Sequence, residues 1–194
     1  MSKSLNEIGT DVYGVNLDAA AVARKEWNAT EAAANDADAV LAAVAGKTSA
    51  QNITENIVNP PCVRTLTVTA GGTAGDIKAG SVRVYGTNYA DEEIYEDFTF
   101  TADTAATKSG VKAFKTVTKV AIPAQDGTGC TFTVGTGSGL GLPFKFASKP
   151  LFIASFDGTS DAGTITADDD EVEKNIYTSH SSLNGKVIKL ALVM

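Results

Sequence analysis

Apolar and polar residues alternate with a period of two from about residue 50 onward. The pattern is clearest in RTLTVT (64–69), SVRVY (81–85), TFTV (131–134) and KVIKLALVM (186–194). Side chains that alternate in this way line one dry and one wet face of a β-strand. EIYEDFTF (93–100) keeps the pattern except at Glu96, which indicates a sheet edge or a bulge.

Two further stretches predict strands with less regular patterns. KAFKTVTKVAIP (112–123) has a broken alternation, and LFIASF (151–156) is apolar throughout. We interpret the second as a central strand that is covered on both sides. Glycine-rich and Asp-rich turns separate all of these segments, so the sequence predicts an all-β fold with eight or nine short strands. An antiparallel β-sandwich, Ig-like or jelly-roll-like, fits this spacing, and a closed barrel is the alternative.

The chain has a different character before about residue 48, where alanine dominates. Asp18 is a candidate cap for a helix over residues 19–28, and Thr30 or Asp36 for a second helix that ends at Gly46. Alanine buries little apolar area, so such helices need a partner surface. In the alternative interpretation, VLAAVAG (40–46) runs extended and joins the sheet.

We therefore expect two units, an anchoring segment at 1–48 and a sandwich domain at 49–194. Threonine, valine and glycine are abundant, as in strands and the turns between them. The formal net charge is −7, from 16 basic and 23 acidic residues, which argues against nucleic acid as the main partner. The first residues lack the apolar core of a secretory signal, and no apolar run is long enough to span a membrane.

The cysteines and the glycine run VGTGSGLGLP (134–143) were considered as chemical sites. Cys62 and Cys130 are far apart, without metal-ligand or redox spacing, and are interpreted as small apolar residues in a reducing compartment. The glycines repeat at every second position and Pro143 follows them, so the strand–glycine–helix order of a dinucleotide site is missing. We expect a bend between sheets with Leu140 and Leu142 in the core, and no cofactor.

Two polar stretches suggest chemistry that the pattern does not carry further. His180 stands among serines in YTSHSSLNG (177–185), but no nucleophile elbow accompanies it, and a polar turn is the favoured interpretation. ADDDEVEK (167–174) offers oxygen ligands for Ca²⁺ without the EF-hand spacing. We expect a solvated loop there, with a weak ion site as the alternative, and we predict that the protein is not an enzyme.

Tyr13 and Trp27 lie in the N-terminal segment and are the candidate partner-binding residues. Large aromatic side chains supply much contact area at low entropic cost, so they are typical anchors of protein interfaces. Packing of the local segment against its own domain is the alternative interpretation.

The order of several motifs resembles that of a group of structural proteins from tailed-bacteriophage virions. The matching stretches are NPPCVRTLTV (59–68), GSVRVYGTN (80–88), EIYEDFTF (93–100), GVKAFKTVTKV (110–120), VGTGSGLGLP (134–143) and YTSHSSLNG (177–185). The resemblance covers residues 50–194. Val63 stands before Arg64 where many members of the group have proline, which puts the local turn in doubt.

This resemblance implies a head decoration or head fibre protein with no catalytic residues. We therefore expect an oligomeric capsid decoration or cement protein on the virion surface, made in the host cytoplasm, whose N-terminal segment contacts the major capsid protein. The alternative is a tail or fibre module that binds host carbohydrate through Tyr85, Tyr89 and Tyr95.

Overall fold

The computed structural model of the protein describes residues 22–193, so Tyr13 lies outside the described residues. In this range the chain is all-β, as the sequence predicts, with fourteen strands and two one-turn 3₁₀ helices at Ala74–Asp76 and Val172–Lys174. No helix of this part of the chain has the length and apolar character needed to cross a membrane. The strands are β1 (Val22–Trp27), β2 (Leu41–Ala45), β3 (Gln51–Ile53), β4 (Arg64–Gly72), β5 (Gly80–Thr87), β6 (Glu93–Phe100), β7 (Ala106–Phe114), β8 (Thr116–Ile122), β9 (Cys130–Gly141), β10 (Leu151–Phe156), β11 (Thr159–Ser160), β12 (Thr164–Thr166), β13 (Ile176–Thr178) and β14 (Ile188–Val193).

The strands form three antiparallel sheets. The first has the order β1-β14-β10-β11, the second β12-β13-β9-β4-β7, and the third β3-β8-β5-β6. In the second sheet, β2 pairs with the first part of β9 and β13 with its last part. β9 is the longest strand in the described chain, and it pairs with three strands, β2, β4 and β13.

Two hydrophobic cores lie between these sheets. The first core packs the third sheet against β2, β4, β7 and the beginning of β9, with Phe132 and Val134 from β9. The second core packs the first sheet against β12, β13 and the end of β9, with Leu140 and Leu142 from the glycine run. Each core thus lies between two layers of strands, as in a sandwich, and the continuous strand β9 contributes to both cores.

The helical interpretation of the N-terminal segment is wrong from Val22 onward. Residues 22–27 form β1, which pairs with β14 over its full length, and residues 41–45 form β2 on the edge of β9. The extended alternative for 40–46 therefore holds. Pairing satisfies the backbone groups of a segment whose alanines bury too little area to hold a helix in place. Segment 22–48 is consequently part of both cored units.

The glycine run lies within a strand and not between two strands. Residues 135–141 belong to β9, whose register against β4 shifts between Thr136 and Leu140. Leu140 and Leu142 are in the core as predicted. Each glycine of the run admits a close neighbour: a Cβ at Gly135 would overlap the backbone of Asp36 and Ala37, and one at Gly137 would overlap the Thr65 hydroxyl. The glycines are there because other chain segments cross the strand at van der Waals contact with its backbone.

Several other strand predictions can be compared with the structure. The alternation of β14 is confirmed, with Ile188, Leu190 and Leu192 buried. β6 is an edge strand, as Glu96 indicated. Phe144 and Phe146, which follow β9, lie outside the strands and pack on the second core. The interpretation of LFIASF as a strand covered on both sides is wrong, because alternate residues of β10 are exposed.

Gly135→Ala tests the close approach along β9. We expect a loss of about 1–3 kcal/mol in the free energy of unfolding, because the added methyl group meets backbone atoms that cannot rotate away. Gly71→Ala in β4 is the matched control, since its Cβ would meet only the Thr131 hydroxyl at an ordinary 3.6 Å. Urea unfolding measures both, and equal stabilities of the two variants would contradict the packing described here.

Candidate partner-binding surfaces

The aromatic residue predicted to bind a partner is inside the protein. Trp27 is 1% exposed and stacks on Tyr177, with ring centroids 5.8 Å apart and planes 15° from parallel. Trp27 therefore holds β1 on the second core in this structure, which is the alternative that the sequence left open. The Lys25 ammonium lies 5.5 Å from the centre of the indole ring.

His180 takes part through its backbone N–H in a polar cluster around Asp161. The Asp161 carboxylate, which is nearly buried, accepts hydrogen bonds from the Tyr177 hydroxyl, the Ser179 hydroxyl and the backbone N–H of His180. Burial alone would raise the pKa of Asp161, but these hydrogen bonds outweigh it and hold the pKa below its usual range. Ser138, which stands between two glycines of the glycine run, lies exposed within strand β9.

Two lysines form ion pairs with part of the acidic stretch at 167–174. Lys112 of β7 binds Glu171 at 2.6 Å and Glu173 at 3.1 Å, and Lys174 also pairs with Glu171. Hydrogen bonds from the two lysines lower the pKa of Glu171 to about 2. Within residues 22–193 no group of three or more His, Cys, Asp or Glu side chains converges as a metal site would require.

Asn88 connects this ion-pair network to the β5–β6 hairpin. Its side-chain oxygen accepts the backbone N–H groups of Ala90 and Glu92, and its amide donates to the buried Glu173 at 3.1 Å. The asparagine is 1% exposed, so each of these bonds satisfies a group that water cannot reach. The acidic stretch thus connects the β5–β6 hairpin to β7 through Glu173, which contacts both Asn88 and Lys112.

Two of the three tyrosines predicted to bind carbohydrate form a ladder with cations, whereas Tyr89 lies half-buried in the turn between β5 and β6. Tyr85 and Tyr95 are cross-strand neighbours, with ring centroids 6.1 Å apart. Lys119 lies 3.7 Å from the centre of the Tyr85 ring, and the guanidinium of Arg83 lies 4.4 Å from that of Tyr95. Because the chain's own cations occupy these ring faces, the ladder is poorly suited to stacking on a sugar.

The outer face of the first sheet carries two exposed large apolar side chains, Leu151 and Ile153. Strand register places the residues of β1, β14 and β10 in rows, and two of these rows are Val22, Val193, Leu151 and Arg24, Ala191, Ile153. Leu151 is 64% exposed and Ile153 is 77% exposed. We call the outward residues of these two rows the β10 face. Sequence reasoning missed it, since an unbroken apolar run gives no sign of which side remains uncovered.

Comparison with protein-family models, with curated proteins and with solved structures found no match for the chain.

The pH dependence of stability tests the ion pairs of the acidic stretch. A carboxylate whose pKa is lower in the folded state stabilises the protein above its unfolded pKa, near 4.5, and this contribution disappears as the pH falls towards about 2. We expect Glu171→Gln to lower the free energy of unfolding at pH 7 and the difference from wild type to shrink below about pH 4.5. Glu55→Gln, at an exposed loop position, is the control. A difference that does not change with pH would contradict the ion-pair role.

Replacement of Trp27 distinguishes a core residue from a partner contact. Trp27→Ala should lower the free energy of unfolding by about 3–5 kcal/mol, because it removes a large buried ring and its stacking on Tyr177. Trp27→Phe keeps part of that packing and should lose less. An alanine variant with wild-type stability in thermal and urea unfolding would show that the ring does not support the core.

Proposed function

We propose that the protein is a non-enzymatic structural component of a tailed-bacteriophage virion that decorates the capsid and binds the major capsid protein. The observation that carries the proposal is the way in which the polar groups are used. In residues 22–193 every buried side-chain nitrogen or oxygen has a hydrogen-bond partner within the chain. Glu171 and Glu173 of the acidic stretch pair with Lys112, and Arg83 lies over the ring of Tyr95. This is the arrangement expected of a rigid scaffold.

The stretches that carry the resemblance are also those on which the architecture depends. Arg64 of the first stretch is fully buried, and the glycine run forms the strand that both cores share. The stretches at 80–88, 93–100 and 110–120 form β5, β6 and the junction of β7 with β8. A common order of these motifs therefore supports a common body, and the capsid role follows from that likeness.

The structure changes the part of the chain that the proposal assigns to the anchor. Since β1 and β2 belong to the folded body, we assign the anchor to residues 1–21, which include Tyr13 and precede an edge strand of the first sheet. Trp27 is no longer part of the proposed contact. The alternative, a tail module that binds carbohydrate, is less well supported because cations cover the faces of Tyr85 and Tyr95.

Truncation at the boundary of the folded body tests this assignment. Purified full-length chain and a variant that lacks residues 1–21 are added to shells from the encoding phage that were assembled without this protein. We expect the truncated variant to melt at a similar temperature but to lose most of its binding, and Tyr13→Ala to show a partial loss. Sedimentation of the shells with bound chain is the measurement.

A second truncation serves as the control for folding. Removal of residues 1–48 deletes β1 and β2, so we expect this variant to unfold. Full occupancy of the shells by the variant that lacks only residues 1–21 would overturn the proposed anchor. The absence of shell binding by the intact chain would overturn the capsid role.

A further inference from the structure

Two exposed apolar side chains lie side by side on one strand. Leu151 and Ile153 are 64% and 77% exposed and point to the same side of β10. The other exposed large apolar residues of the described chain, Val58, Tyr95 and Val111, lie on separate elements. Contiguous exposed apolar residues on a strand are typical of a surface that binds another protein.

The same strand has backbone groups at an open edge. β11 covers only Ser155 and Phe156, so among residues 22–193 the beginning of β10 has a strand neighbour only on the β14 side. The Ala154 carbonyl accepts the Asp161 N–H at 2.9 Å, which shows that Ala154 directs its backbone groups towards the β11 side. Alternate residues of a strand direct their backbone groups to the same side, so Phe152 presents its N–H and C=O at this open edge.

We propose that two copies of the chain associate through these edges, with β10 antiparallel to β10 of the second copy and the two-fold axis at Phe152. The two Phe152 residues then exchange a reciprocal pair of backbone hydrogen bonds. On the outer face, Leu151 of each copy lies opposite Ile153 of the other. Pro150, which lacks an N–H, and the bonded carbonyl of Ala154 limit the pairing to Leu151–Ile153.

The register is what selects a second copy as the occupant. The two-fold axis joins the row that contains Val193 and Leu151 to the row that contains Ile153 and Ala191 of the other copy, so each apolar row continues across the junction. Arg24, Glu26 and Lys189 of β1 and β14 line one surface depression together with Ile153. Lys189 and Glu26 are paired with each other at 3.6 Å, and the three residues that pair across the junction, Leu151–Ile153, carry no charge.

This contact is small, and it is independent of the proposed capsid role. A three-residue pairing forms a weak dimer, of the size class of transient interfaces. Copies held close together on any surface would associate more completely, since a high effective concentration replaces intrinsic affinity. The test uses the purified chain without shells, so its result does not depend on whether the chain decorates a capsid.

Sedimentation equilibrium of the full chain over a wide concentration range measures the association. We expect a monomer–dimer equilibrium, and we expect Ile153→Lys to weaken it at least about tenfold, because an edge-strand lysine opposes strand pairing. Val58→Lys is the matched control, at a position that is 62% exposed in a loop and carries the same change in charge. Thermal unfolding of both variants confirms that they are folded.

Cysteine cross-linking tests the register. In a Cys62→Ser background, the double variant Leu151→Cys, Ile153→Cys places two cysteine pairs directly opposite each other across the junction, where a disulfide fits. Under mild oxidation we expect covalent dimers from the double variant and at least about fivefold less from either single variant, whose cysteines lie diagonally across the pair. The chain's other cysteine, Cys130, is buried.

Each of the remaining outcomes overturns the proposal. A full chain that stays monomeric at all concentrations excludes the dimer. If only the variant without residues 1–21 associates, the chain's own first residues occupy the edge. Single variants that cross-link as well as the double variant would indicate a different register. Loss of shell binding by Ile153→Lys, with no dimer detected in solution, would assign the face to the shell.

Discussion

The close approach of neighbouring chain segments to the backbone of β9 is the constraint on which the rest of the structure depends. Arg64 is fully buried beside this strand and donates to the carbonyl of Gly137, to that of Ala33 and to the side-chain oxygen of Asn35. Burial lowers the pKa of its guanidinium, yet an arginine stays charged in proteins. The charge is thus stabilised by oxygen dipoles that only the folded chain brings together, so the glycine strand, the segment at 33–35 and β4 depend on one another.

Other polar side chains cover the edges of the sheets. Glu96 of the edge strand β6 accepts the backbone N–H of Val111 at 2.6 Å and so binds an edge of the neighbouring sheet. Burial raises the pKa of this carboxyl group. Lys112 and the acidic stretch lie beside the same edge. The start of β10 has no comparable cover among the described residues, and this contrast is what marks it as an interaction surface.

Sequence reasoning succeeded where a segment's own pattern decides its structure. β5 and β14 alternate strictly, and one face of each is buried as predicted. The predictions were wrong where the conformation or burial of a segment depends on the segments that pack against it. The alanine-rich segment has weak preferences of its own, so pairing with β14 and β9 made it extended. LFIASF is apolar on both sides, and nothing in its own residues shows that one side has no covering layer.

The amino-acid sequence by itself determined that the protein is all-β, which segments form its principal strands and which of their faces are dry, because the two-residue period of a strand is a local property. It also placed Leu140 and Leu142 in the core. Only the tertiary structure decided that there are two cores, that the glycine run is a strand crossing between them, that Trp27 is internal and that Leu151 and Ile153 are exposed. These features depend on contacts such as that of Asp36 with Gly135, which join segments far apart in the sequence, and such contacts leave no periodic pattern in either segment.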